Sequence, residues 1–125
     1  LPRLQDIVTR ALDRYGEGSP IALDALQAFS SALWRAGLHP EALATSERVA
    51  SWIDEAQGAR SPAATEHHYN LLYHYAEAGD AEGARRQLRR LTWLEEASPK
   101  ALTANQQEIR EALPEIRAAL DAAAE

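Results

Sequence analysis

The chain carries one pattern of helix punctuation twice, 42 positions apart. Gly16, Ser19, Pro20 and Ala22 recur as Gly58, Ser61, Pro62 and Ala64, and Ala36, Gly37 and Ala42 recur as Ala78, Gly79 and Ala84. Aligning 16–57 with 58–99 adds only Arg48 with Arg90, eight identities in all. Most of them fall where backbone geometry narrows the choice: a breaker, a Ser-Pro helix start, and a Gly at a helix end. Such a period marks stacked helix pairs, in which each pair buries its apolar face only against its neighbours. A non-repetitive helical bundle is the alternative.

Composition agrees with helices. Apolar residues make up 46% of the 125, dominated by Ala and Leu, with one Phe and little of the β-branched content that strands favour. The length suits one domain with its own core. Without Cys there is no disulfide framework and no thiolate chemistry. The chain opens on Leu1 and has no Met, so it reads as a piece excised from a longer protein. No apolar run approaches the ~20 residues of a membrane span, and no signal-peptide pattern is present. A net charge of −6 disfavours direct contact with nucleic acid or anionic membranes. A cytoplasmic location is expected.

Six helical segments are expected. The first, 2–15, places Leu4, Ile7, Val8 and Leu12 at helical spacing and stops at Gly16-Glu17-Gly18. The second follows the Ser19 cap and carries Leu23, Leu26, Phe29 and Leu33. The third runs from His39-Pro40 to Gln57 with Leu43, Val49, Trp52 and Ile53. The fourth repeats the Ser61-Pro62 start, and the fifth follows Asp80 with Ala84, Leu88, Leu91 and Leu94. The sixth follows Ser98-Pro99 with Ile109, Leu113, Ile116 and Leu120, and Pro114 should kink it or split it in two. Shifting Val49 and Leu91 back by the period lands on Ile7. The domain therefore reads as the second helix of a truncated repeat (1–15), two repeats (19–57 and 61–97) and a capping helix (99–124).

The second copy presents Leu71, Tyr75, Gly79, Asp80, Ala84, Leu88 and Leu91; the first presents Phe29, Leu33, Gly37, Ala42 and Val49. This pattern resembles the tetratricopeptide repeat, in the 42-residue variant familiar from the kinesin light chain and many bacterial regulators. The resemblance covers about 1–100 and is looser in the first copy, where Ser30 and Ser46 replace apolar residues. The stretch 32–43 is also similar to the helical activator domain of actinobacterial transcription regulators. The resemblance implies an all-α fold of antiparallel hairpins stacked as a right-handed superhelix, whose first helices line a concave groove. Carried over by position, the partner-binding residues would be Asp24, Gln27, Ser31, Trp34 and Arg35, then Glu66, Tyr69, Tyr73 and Glu77. Helical geometry independently puts the last four on one face, offset from the Leu71–Tyr75 stripe. Family members that grip a C-terminal carboxylate use Lys and Asn in the groove; Gln27, Ser31, Tyr69 and Tyr73 stand at those places and only Asn70 matches, which argues against carboxylate-tail recognition.

The expected function is therefore to bind a protein or peptide segment, with no catalytic residues, no cofactor and no metal. A regulatory domain of a bacterial transcription regulator or signalling protein is one alternative; self-association through the Ile109–Leu120 stripe, giving a homodimer, is another. His67, His68 and His74 lack the convergent spacing of a metal site; packing roles are expected, with His68 in the core, and protonation near pH 6 would charge a half-buried layer. Tyr75, Trp52 and Trp93 are expected as packing residues. The run Arg85, Arg86, Arg89, Arg90 should lie mostly on the outer face, as a solvated surface or a site for an acidic protein partner rather than nucleic acid, with Glu82 and Arg86 a favourable helix pair and Arg85 and Arg89 a repulsive one. Asp54-Glu55 and Glu95-Glu96 lack the apolar setting that raises a catalytic pKa.

Overall fold

A computed structural model describes residues 1–123. They form helices joined by short turns, with no strand among them, and divide into two compact units at Gly58–Ala59. The first contains α1 (Pro2–Tyr15), α2 (Pro20–Arg35) and α3 (His39–Gln57). The second contains α4 (Pro62–Glu77), α5 (Ala81–Leu91), a short α6 (Trp93–Glu96), a 3₁₀ turn (Pro99–Ala101) and α7 (Ala104–Ala123).

The duplicated punctuation does the same local work in both units. Ser19 Oγ accepts from Ala22 N at 3.2 Å, and Ser61 Oγ from Ala64 N at 3.1 Å. Each serine thus satisfies one donor that a helix start leaves unpaired. At the other end, Leu38 N donates to Leu33 O and Gly37 N to Trp34 O; Asp80 N and Gly79 N donate likewise to Tyr75 O and Ala76 O. That pairing requires a left-handed residue, and Gly37 and Gly79 supply it at φ 79° and 78°. The short turns fold α3 back on α2 and α5 back on α4.

In the first unit α2 packs against both α1 and α3. Leu26, Leu33, Leu43, Val49, Trp52 and Ile53 are buried. Ser30 and Ser46, where the resemblance expects apolar side chains, form a hydroxyl pair instead. Ser30 Oγ donates to Ala42 O at 2.9 Å, so its other neighbour, Ser46 Oγ at 2.6 Å, must be the donor to it. The equivalence of Ile7 with Val49 and Leu91 does not extend to burial: Ile7 is 49% exposed while the other two are fully buried. Val8 and Ala11 are the buried residues of α1, and Ile7 lies on the side that α2 and α3 leave uncovered.

In the second unit α7 packs on α4, α5 and α6. Leu71, Leu72, Leu91, Leu94 and Leu113 are fully buried. So are four polar side chains, in two sets. His68 Nδ1 lies 2.9 Å from Gln87 Oε1, which also accepts from Arg90 at 3.1 Å. Gln106 Nε2 donates to Thr65 Oγ1 at 3.1 Å and to Arg60 O at 3.3 Å. Each set ties one helix to another through groups that are costly to leave unpaired. Trp93 Nε1 is buried with no acceptor, and nothing in its surroundings explains it.

Two boundaries differ from the expectation. The fifth helix is not continuous to Ala97: Thr92 interrupts it, its hydroxyl bonded to Arg89 O at 2.9 Å. The last helix does not start at Pro99. Residues 99–101 make only a 3₁₀ turn, and α7 begins after Thr103, whose Oγ1 accepts from Gln106 N while Gln106 Oε1 accepts from Thr103 N. This reciprocal box outcompetes the Ser-Pro signal because it satisfies two helix-start donors at once. Of the two outcomes expected at Pro114, a kink or a split, the split does not occur: Pro114 sits within α7, which continues to Ala123. Its ring removes one donor, and it is exposed, so Arg110 O, the acceptor thereby orphaned, sits on the outer part of the helix rather than in the core. The expected last residue, Ala124, lies outside the described residues.

Candidate functional site

The residues expected on the outer face of α4 do lie together. Positions 66, 69, 73 and 77 fall within about a third of the helical circumference, turned away from the buried stripe of Thr65, His68, Leu71, Leu72 and Tyr75. Tyr69 and Tyr73 pair one turn apart, with rings perpendicular, centroids 5.1 Å apart and hydroxyls 3.2 Å apart. Burial, and then the Tyr73 hydroxyl, push the Tyr69 phenol up to about 12. Tyr69 is half-buried and Tyr73 is 45% exposed, the one large exposed apolar side chain among the described residues of its unit. Glu66 and Glu77 stand exposed at either end, their carboxylates engaged with no other described side chain.

On α2 the equivalent positions are more polar. Asp24, Gln27, Ser31 and Arg35 are all exposed. Trp34 is half-buried, its ring stacked on His39 at 4.0 Å between centroids and 21° between planes. That stack clamps the α2–α3 turn and leaves only part of the indole open.

The histidines do not form a ligand set. His68 is buried, as expected of a core position, while His67 and His74 are half-buried. No group of three or more His, Cys, Asp or Glu side chains able to hold a metal occurs among the described residues. No described helix is long and apolar enough to cross a membrane.

The arginine run is a solvated face only at Arg89 and Arg90, which are exposed, while Arg85 and Arg86 are half-buried. Arg86 turns inward, donating to the Tyr75 hydroxyl at 3.0 Å with its guanidinium 5.3 Å from that ring's centre. Arg85 reaches Leu120 O on α7 at 3.3 Å. Glu82 therefore pairs with Arg85 and Arg89, at 3.6 and 3.5 Å. Tyr75 competes for Arg86 because it offers both a π face and an oxygen in a drier setting than the exposed carboxylate.

Sequence reasoning missed the start of α7. Thr103 lies one period after Ser61, which lies one period after Ser19. The N-cap thus recurs a third time in register, with Gln106 buried where Ala22 and Ala64 are buried. The signal was legible: Thr-x-x-Gln is a capping-box pattern. Ser98-Pro99, which looks like the two earlier starts, masked it. No family model matches this chain, and no curated protein matches it.

Proposed function

We propose that the chain is an interaction module of tetratricopeptide type, which holds a protein or peptide segment along the outer faces of its first helices. In this reading the hairpins stack as a right-handed superhelix. The residues that contact the partner are Tyr69, Tyr73, Glu66 and Glu77 on α4, with Trp34, Arg35 and their neighbours on α2. The observation that carries the proposal is the Tyr69–Tyr73 pair. Two rings lock one another at right angles on an outward face, one of them nearly half open to solvent. Preordered aromatic area of this kind binds at little entropic cost. The internal order of each unit supports it: α2 lies between its neighbours α1 and α3, and a third in-register helix packs on the α4–α5 hairpin.

The test is selection of a displayed peptide library on the wild-type chain, followed by binding of the winners to Tyr69→Ala/Tyr73→Ala. Loss of binding with unchanged helical circular dichroism is the expected result. Winners that bind the double variant equally well reject the assignment.

A further inference from the structure

We infer that the partner segment is basic, and that α7 shares in its recognition. The inference rests on the proposed binding face and adds to it the chemistry of the ligand. Because Thr103 caps α7 one period after Ser61, positions on α7 correspond to positions on α4: Glu108 to Glu66, Glu111 to Tyr69, and Glu115 to Tyr73. All three glutamates are exposed. They fall within about 60° of arc on the side of α7 away from buried Gln106, Ile109 and Leu113. The first helices of the second unit therefore present the same acid-lined face twice, with the tyrosine pair on one of them.

Some carboxylates are paired within the chain. Asp6 pairs with Arg10, Glu17 with Arg48, Glu82 with Arg85 and Arg89, and Glu95 with Arg117. Glu108, Glu111 and Glu115 engage no described side chain, and neither do Glu66 and Glu77; these five belong to the unpaired exposed set, as do Asp13, Glu41 and Glu55. What sets the α7 glutamates apart is that three of them share one narrow face in register with the tyrosine pair. Like charges three and four residues apart destabilise a helix. Here the relief is left to a ligand: cationic side chains meet the carboxylates while an apolar side chain of the same segment packs on Tyr73. Such complementarity sets partner choice and association rate more than raw affinity.

The test uses three capped, labelled ten-residue peptides of alternating Leu with Arg, with Gln or with Glu. Fluorescence anisotropy is read against the whole chain at low salt. The Arg peptide is expected to bind best, to weaken as salt screens the contact, and to lose about tenfold in affinity on Glu108→Gln/Glu111→Gln/Glu115→Gln. A control variant, Asp13→Asn/Glu41→Gln/Glu55→Gln, removes as many charges from exposed positions of the first unit and should bind nearly as wild type. Equal weakening in both triple variants would mean that net charge alone attracts the peptide, and overturns the inference. So does Gln-peptide binding as tight as that of the Arg peptide; if that binding is also lost in Tyr69→Ala/Tyr73→Ala, the binding face itself stands. Arg-peptide binding that depends on the α7 glutamates but ignores the tyrosine variant rejects the tyrosine face and keeps the basic preference.

Discussion

A β-carbon placed on Gly83 would lie 2.2 Å from Cδ1 of the Tyr75 ring. The α4–α5 hairpin closes on this contact, since Gly83 and Tyr75 are both buried and Arg86 caps the tyrosine from the next turn. The obstructing atoms belong to the base of the ring as well as its side, so no flexible tip can swing aside.

Gly83→Ala should therefore destabilise the chain, although alanine is the better helix former by about 1 kcal/mol. Overpacking of a close-packed core costs about 1–3 kcal/mol, and the ring must move as a body. Urea unfolding should show a lower midpoint. Combined with Tyr75→Leu, the loss should be less than the sum of the two single changes, because the smaller side chain vacates the clash.

His68 and Gln87 form a buried pair in which each answers the other. Since Oε1 only accepts, Nδ1 of His68 carries the hydrogen. Gln87→Leu, which removes the acceptor of both His68 Nδ1 and Arg90, should cost about 1–3 kcal/mol, and His68→Leu less, because Arg90 still donates to Gln87 Oε1. The double substitution should cost less than the sum, measured by denaturation as a coupling energy.

Tyr69 titrates late. Its folded pKa of about 12 lies above the ordinary 10.0, so its neutral form is favoured in the folded chain. The stabilising contribution is complete below pH 10 and is lost as pH rises through about 12. Absorbance of tyrosinate should show an ionisation step near the Tyr69 value of about 12. Tyr73→Phe, which removes the hydroxyl partner, should bring that step to lower pH; an unchanged late step would mean that burial alone holds it.

Thr103→Ala should cost about 1 kcal/mol as a lost helix cap. Gln106→Ala should cost more, because it removes the other half of the box and also the donor to buried Thr65. Hydrogen exchange should show the first turn of α7 opening in both variants, with α4 affected only by the second.

Much of the fold was legible because helix ends obey local rules. Ser19-Pro20, Ser61-Pro62, Gly37 and Gly79 act within one turn of chain, so α1 to α4 begin and end where spacing placed them. The exposed face of α4 was equally legible, since helical periodicity alone separates Tyr69 and Tyr73 from Leu71 and Tyr75. What failed was competition between signals of equal local strength. Ser98-Pro99 resembles a start, yet Thr103 and Gln106 satisfy more donors, and Gln106 gains a buried partner from α4 that no local pattern announces.

By itself the sequence determined the helical hairpins, their turns and their period, because capping, left-handed glycines and apolar spacing depend only on residues a few positions apart. Tertiary structure decided which way the ambiguous side chains turned. Arg86 faces inward to Tyr75 rather than outward to Glu82, Ile7 is exposed where its periodic equivalents are buried, and His68 and Gln106 find their acceptors 19 and 41 residues along the chain. A long or polar side chain settles by the free energy of every group within its reach, and that neighbourhood exists only once the helices have packed.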